Sequence, residues 1–482
     1  MNYVVFFTDE MRAENLGCYG HPLAKTPNYD RLAAEGTLFE NHYVANPVCV
    51  GSRCSLFTGW YPHVNGFRSL LNFISPNDPN FLKELKDAGY QVVMYGKNHA
   101  LDSASVHTSL TGYDSCDGLS EEKGSVWQET EATRKKRGRF LFSDDYTMLF
   151  PAMDDNELES MHDTQIVRKG VEFIRQWKPG DPPFFLFISI NNPHAPYVCP
   201  KRYYDMYPPE QFSLRRYKEG AKPEFIRQLR QYSNFETVDE SVFQKCAAVY
   251  QGMITYCDDM LGRVLDALDQ CHLWENTIVA ATSDHGDFAG DYGLVEKWPN
   301  AFYDNLVKTP LIIRVPGAVG GHRVSAPVSE LDIFPTFMDY AQVSVGHDQF
   351  GKSLRLQLEG DSGDENAAVF CEGGYDLREP QCFEGTERDY SFLLKKDCVY
   401  YPKMMIQQEQ GECVCRGTMM RQGAYKLIMR SSGEHEFFDL KKDPGEERNL
   451  YNAPEYASII SRMEKEMLLW YIQTSDVVPR LS

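Results

Sequence analysis

No stretch of the 482 residues approaches the roughly 20 consecutive apolar residues that a membrane-spanning helix needs. The amino terminus also lacks the outline of a secretory signal. Met1 leads into Tyr3-Val4-Val5-Phe6-Phe7, Asp9 and Glu10 follow at once, and no basic segment precedes the apolar one. Cysteine forms no framework: the 13 residues are scattered and odd in number, as expected of reduced thiols. Positive charge is scarce as well, with 49 Lys and Arg against 69 Asp and Glu and a net charge of −20. These absences predict a cytoplasmic protein with no membrane partner and no general affinity for nucleic acid. An anionic substrate would need positive charge gathered locally against a repulsive background.

Apolar residues make up 42% of the chain, enough for a buried core, and the length predicts two packed units. Short apolar runs at Tyr3–Phe7, Val92–Tyr95, Phe184–Ile190, Thr277–Ala281 and Leu311–Val315 read as buried strands. Helices are expected between them, one over Asp163–Trp177 and one over Lys245–Leu268. The second places Val249, Met253, Tyr256, Met260, Val264 and Leu268 on one face. This alternation predicts an α/β fold with a large, mostly parallel sheet flanked by helices. Gly360–Glu365 reads as a linker, dividing a unit of residues 1–365 from a smaller α+β unit of 366–482. In the second unit, strands are expected at Ala368–Phe370, Ser391–Leu394 and Tyr425–Met429, and a helix at Tyr456–Tyr471.

Polar clusters follow directly on four of the predicted strands. Asp9-Glu10 follows the first, Lys97 and His99 the second, His194 the third, and Asp284-His285 the fourth. Any one cluster alone reads first as a strand-end turn. Together they predict convergence, because ligands in open α/β sheets bind at the carboxyl ends of the strands. Asp9, Glu10, Asp284 and His285 make a candidate divalent-metal site: carboxylate oxygens suit Ca²⁺, Mg²⁺ or Mn²⁺, and an imidazole nitrogen shifts the balance toward Mn²⁺ or another borderline metal. Cys49 stands where a small-residue turn enters an apolar run, a position predicted to be a helix N-terminus that stabilises thiolates and anions. Arg53 lies one turn further on. The basic run Arg134–Arg139 reads first as a solvated loop and second as a guide for a polyanion.

Cys49-Val50-Gly51-Ser52-Arg53 followed by Thr58-Gly59 resembles the sulfatase signature, Cys-x-Pro/Ala-x-Arg followed by Thr-Gly. Gly89-Tyr90 with Gly96-Lys97-Asn98-His99 is similar to the family's Gly-Tyr and Gly-Lys-Trp-His segment. Pro193-His194-Ala195-Pro196 resembles its histidine loop, and Thr277–Gly286 its second metal segment, with Lys297 beyond as a sulfate-binding lysine. Phe437–Leu440, Asp443-Pro444 and Asn449-Leu450 resemble its C-terminal signature. The resemblance implies an alkaline-phosphatase-like fold and a sulfate-ester hydrolase, with one divalent metal, Ca²⁺ first and Mn²⁺ or Mg²⁺ after it. It implies that a maturation enzyme oxidises Cys49 to formylglycine, whose hydrate binds the metal and attacks sulfur. Asp9, Glu10, Asp284 and His285 would then hold the metal. Lys97, Lys297 and Arg53 would neutralise sulfate oxygens, His194 would protonate the leaving alcohol, and His99 would take the proton that lets sulfate depart. The implied substrate is a small or oligomeric sulfated carbohydrate.

Three positions depart from the family pattern. Gly51 stands in place of Pro or Ala, which leaves the maturation segment loose and is expected to slow conversion, with Gly51→Pro raising it if the loop admits proline. Asn98 replaces a tryptophan. His285 stands where many members carry asparagine, a feature shared with phosphonate monoester and phosphodiester hydrolases. Those activities on the same scaffold are the alternative reading. A non-catalytic anion-binding protein is the third, should Gly51 block maturation.

Overall fold

The apolar runs alternate their side chains between two buried layers, and this sets the architecture. In the computed structural model, which describes residues 1–69, 72–115, 146–376, 396 and 398–477, the first run forms a strand buried over its whole length. Val4 and Phe6 face one core with Ile166, Ile174, Val249 and Met253. Tyr3, Val5 and Phe7 face another with Phe57, Phe81, Leu82 and Phe337. A strand buried on both faces needs no polar alternation, so its sequence is continuously apolar.

The strands in chain order are β1 (Asn2–Asp9), β2 (Thr37–Phe39), β3 (His42–Tyr43), β4 (Gln91–Gly96), β5 (Gly112–Asp114), β6 (Phe184–Pro193), β7 (Thr277–Ser283), β8 (Leu311–Arg314), β9 (His322–Val324), β10 (Val328–Ser329), β11 (Ala368–Gly373), β12 (Gly417–Gln422), β13 (Tyr425–Arg430) and β14 (Glu436–Asp439). Eight of them form one sheet in the order β5-β4-β6-β1-β7-β8-β2-β9. Neighbours from β5 to β7 run parallel, while β8 is antiparallel to both β7 and β2. The large parallel sheet flanked by helices agrees with the alkaline-phosphatase-like expectation. The helices Glu240–Gln270 and His162–Gln176 cover one face, and Cys49–Thr58, Phe81–Asp87 and Ile333–Ala341 the other. Glu240–Gln270 starts five residues before the expected Lys245, where Asp239 caps it by accepting from the Ser241 N–H at 2.8 Å.

The four strands whose ends carry polar clusters are adjacent: β4, β6, β1 and β7 stand side by side and parallel. Their carboxyl ends therefore open on one rim. Register sets the heights. Thr8 pairs with Ser283, so Asp9 and Asp284 leave the sheet together. Gly96 pairs with Ser189, so Lys97 leaves β4 beside a strand that continues to Pro193 before releasing His194.

β11, β12, β13 and β14 form a second, antiparallel sheet. It packs Phe370, Met420, Leu427 and Phe437 against Ile460, Met463, Met467 and Trp470 of the helix Ala457–Thr474. Phe370 and Trp470 stack with ring centroids 4.4 Å apart. The expected strand at Ser391–Leu394 and the basic run Arg134–Arg139 lie outside the described residues. No helix among the described residues is long and apolar enough to cross a membrane.

Candidate active site

Cys49 is the first residue of the helix Cys49–Thr58, which packs Phe57 against Phe187 of β6 with centroids 5.3 Å apart. That contact aims the helix N-terminus at the rim of the sheet. The Cys49 Sγ lies 3.2 Å from His285 Nε2, 3.7 Å from Asp9 Oδ1 and 3.8 Å from Lys97 Nζ. Cys49, Asp9, Asp284 and His285 are all 0% exposed. One potential ligand atom from each falls within 4.8 Å of all the others.

Arg53, one turn along the same helix, is fully buried beneath this group. Its Nη2 donates to Asp9 Oδ2 at 2.8 Å and its Nε to Asp284 Oδ2 at 2.8 Å. Its Nη1 donates to the Lys97 carbonyl at 3.0 Å and to Ser189 Oγ at 2.8 Å, and Phe7 lies under the guanidinium at 4.9 Å. The guanidinium expected to neutralise sulfate has all three nitrogens engaged with the protein here. Its planar fork instead ties two strand-end carboxylates to each other and to β4 and β6. Lys97 Nζ meets Asp9 Oδ2 at 2.7 Å. Burial pushes the Asp9 carboxyl up, but Lys97 and Arg53 outweigh it and hold the group well below the usual carboxylate range.

The second oxygens of both carboxylates point the other way. Asp284 Oδ1 accepts the Glu10 and His285 N–H groups at 3.2 and 3.0 Å and lies 3.8 Å from His285 Nε2. His285 Nδ1 donates to the Gly286 carbonyl at 2.9 Å, which leaves the Nε2 lone pair facing Cys49. Burial lowers the His285 pKa and favours this neutral form.

Glu10 does not join that group. Its backbone is in the left-handed region at φ 66°, and its Oε1 accepts from Lys297 Nζ at 2.5 Å and lies 3.4 Å from His194 Nε2. Its potential ligand atom clusters with those of Asp9 and His194 instead. The sequence could not reveal this, because consecutive acids after a strand leave in different directions when the second adopts positive φ. Burial pushes the Glu10 carboxyl well above its usual range despite Lys297. His194 Nδ1 faces the Ala195 carbonyl, which can only accept, so Nε2 is the nitrogen turned to Lys297 Nζ at 3.0 Å. His99 is 3% exposed, two residues beyond Lys97, with φ 43°. It belongs to neither close ligand group among the described residues. Glu10, His99 and Glu296 are all non-glycine residues at positive φ, a strain that concentrates at functional sites.

A sulfatase family model matches residues 1–343. The chain belongs to the sulfatase family. A second model, N-sulphoglucosamine sulphohydrolase C-terminal, matches residues 387–473. The sulfatase is 28% identical over 488 residues to an arylsulfatase of Clostridium perfringens, a match covering 97% of this chain and 93% of that one. It is 25% identical over 531 residues to an N-acetylglucosamine-6-O-sulfatase of Bacteroides thetaiotaomicron, covering 97% and 85%. Its fold superposes on a phosphonate monoester hydrolase from Silicibacter pomeroyi with a TM-score of 0.75, at 23% identity and covering 98% and 95% of the two chains. It is a sulfuric ester hydrolase with an alkaline-phosphatase-like fold.

Several residues that support the site were not among those read from the sequence. Lys403, on the helix Tyr401–Glu409, bonds the Glu296 carboxylate and donates to the Lys297 carbonyl at 2.8 Å, so the sulfatase's C-terminal part reaches a rim lysine. Asp163 accepts the Asn191 and Asn192 N–H groups at 2.9 and 2.8 Å and steadies the turn before His194. Its only signal was an acid in the first turn of a helix. Gly51 also has a reason that sequence reading missed. A Cβ there would lie 2.4 Å from Asn46 Cγ and 2.5 Å from Asn46 Oδ1. The Asn46 side chain is held in place by the Val48 N–H at 2.9 Å and the Glu372 carbonyl at 2.8 Å. The loop is therefore closed to proline or alanine at 51 while Asn46 stays put.

Proposed function

We propose that this sulfatase hydrolyses a sulfate ester of a carbohydrate, using residue 49 as formylglycine and one divalent cation at Asp9, Asp284 and His285. The observation that carries this is the buried group in which Cys49, Asp9, Asp284 and His285 offer ligand atoms within 4.8 Å of one another. A carbohydrate is favoured by the likeness to an N-acetylglucosamine-6-O-sulfatase. The many singly buried cysteines, Cys54, Cys199, Cys257, Cys371 and Cys413 among them, favour a reducing, cytoplasmic setting.

The donor set fits a divalent cation. Two carboxylates each keep one oxygen turned toward a neutral imidazole nitrogen, a mixture acceptable to Ca²⁺, which we take first, and to Mn²⁺ or Mg²⁺. Asp9 and Asp284 are already balanced by Arg53 and Lys97. An added cation would therefore give the floor net positive charge, as an anionic ester requires. Glu10, paired with Lys297 through one oxygen and grouped with Asp9, would be the weaker fourth ligand. When present, the metal and the matured residue 49 supply Lewis-acid charge and an oxygen nucleophile.

The remaining roles belong to side chains of this chain. Arg53 holds Asp9 and Asp284 in position. Lys97 and Lys297 gather positive charge where the sulfo group would sit. Protonated on both ring nitrogens, with Nδ1–H held by the Ala195 carbonyl, His194 would present Nε2–H to protonate the leaving alcohol. His99, buried beyond Lys97, is assigned the proton transfer that releases sulfate.

Peptide mass spectrometry across residues 40–60, paired with turnover of sulfated mono- and disaccharides, aryl sulfates and aryl phosphonate monoesters, tests this. We expect sulfated sugars to be turned over in proportion to the aldehyde fraction at residue 49, and co-expression of a maturation enzyme to raise both. Full activity with unmodified Cys49 overturns the formylglycine assignment. Activity confined to the aryl phosphonate monoesters establishes the second reading, which His285 and the likeness to a phosphonate monoester hydrolase favour.

A further inference from the structure

The turn that carries Cys49 is held from behind by an acid outside every motif described above. Glu330 is 2% exposed and opens the short helical turn Glu330–Asp332. Its place follows from topology. β10 pairs in parallel with β3, Val328 opposite His42 and Ser329 opposite Tyr43, so the next residues of the two segments emerge together. A capping box aims the side chain: Leu331 N–H donates to Ser329 Oγ at 3.3 Å, and Ser329 N–H to Asp332 Oδ2 at 2.8 Å. One Glu330 oxygen then accepts the Ala45 N–H at 2.6 Å, and the other bonds Ser52 Oγ at 2.7 Å.

Ala45 lies four residues before Cys49 and Ser52 three after it, so Glu330 clips together the two limbs of the loop whose tip is residue 49. Ala45 is held on its other side as well, its carbonyl accepting the Glu372 N–H at 2.8 Å. The limbs can separate only by leaving a buried polar group unbonded, which is costly.

We propose that Glu330 is a positioning residue for the nucleophile, acting through Ala45 and Ser52 to hold residue 49 against Asp9 and His285. This deepens the function proposed above and rests on its assignment of residue 49. Burial pushes the Glu330 carboxyl well above its usual range, with the Ala45 and Ser52 bonds pulling the other way. One carboxyl oxygen accepts from the Ala45 N–H and the other from the Ser52 hydroxyl, a pair of contacts that an amide oxygen and nitrogen can also make with the same two groups. Glutamine has the same shape and the same pair, so it should substitute where alanine cannot.

The test compares Glu330→Ala, Glu330→Gln and Ser52→Ala as full-length, metal-loaded protein. For each, kcat is divided by the aldehyde fraction found by mass spectrometry, alongside KM, metal content and Tm. Displacing a reacting group by about 1 Å can cost about 10²-fold. Glu330→Ala should lower kcat per converted site by about that factor with KM and metal content kept. Ser52→Ala should show a smaller loss of the same kind, and Glu330→Gln should restore most of the activity. A folded Glu330→Ala with wild-type kcat per converted site overturns the proposal. So does a Glu330→Gln as damaged as the alanine variant. Should Glu330→Ala not fold, wild-type kcat per converted site in Ser52→Ala overturns it. A wild-type protein whose turnover does not follow its aldehyde content refutes the function proposed above instead.

Discussion

The floor of the site and its rim are built differently. On the floor, Asp9, Asp284, Arg53, Cys49 and His285 are all 0% exposed, and each comes from a strand end or from the first two turns of one helix. Their bonds run largely to one another. On the rim, Lys97, His194 and Lys297 have side chains 6–8% exposed, and two of them hang from loops steadied by distant partners, Asp163 for the His194 turn and Lys403 for Lys297. A floor bonded to itself should fail as a unit. A rim held piece by piece should fail one function at a time.

The largest break in this comparison is Asp9→Ala or Asp284→Ala. Either removes a proposed metal ligand and also leaves Arg53 buried with half its ion pairing, a loss of about 3–5 kcal/mol for a buried pair. Bound metal should disappear, turnover should fall to background, and Tm should drop together with them. Metal analysis that finds full occupancy in either variant sinks the ligand assignment.

His194→Ala should instead produce a graded defect. Esters of poorly acidic sugar alcohols should lose about 10²–10⁴ in kcat/KM, because the departing oxygen needs a proton. Esters of activated phenols should lose far less, since phenolate departs without one. Metal content and Tm should stay near wild type, in contrast to the floor variants. An equal loss on both substrate kinds would reassign His194 to binding.

That contrast also explains what was legible in the sequence. The floor could be found because it follows from topology: continuous apolar runs mark two-sided buried strands, and the polar residue after each marks the rim. Cys49 at a helix N-terminus was visible for the same local reason. The direction of β8 was not, because Leu311–Arg314 is as apolar in an antiparallel pairing as in a parallel one. β12 was missed because Thr418, Arg421 and Gln422 interrupt its apolar pattern, and it is supported by partners on both sides rather than by its own periodicity. Side-chain direction was the least legible. Glu10 turns to Lys297 through a positive φ, and Arg53 turns inward because two carboxylates meet beneath the helix. Both outcomes depend on contacts between residues hundreds of positions apart.

The smallest expected effect probes how tightly the floor is packed around residue 49. Gly51 lies inside the helix Cys49–Thr58, where exchange to alanine ordinarily stabilises by about 0.5–1 kcal/mol. Here a Cβ would stand 2.4 Å from Asn46 Cγ, closer than any van der Waals contact. Asn46 cannot swing aside without giving up its bonds to Val48 and Glu372, and overpacking of this kind costs about 1–3 kcal/mol. The steric cost exceeds the helical gain, so Gly51→Ala should lower the urea midpoint even though the sulfatase motif elsewhere carries Pro or Ala at this place. The sign should change with the neighbour. In an Asn46→Ala background the clash is gone, and Gly51→Ala should become neutral or mildly stabilising. The double-mutant cycle should then give a coupling of about 1–2 kcal/mol, within the range for residues in contact. Stabilisation by Gly51→Ala in the wild-type background would mean that Asn46 moves freely. The loop would then be looser than the rest of the floor, and slow maturation through a flexible segment would again be the better account of Gly51.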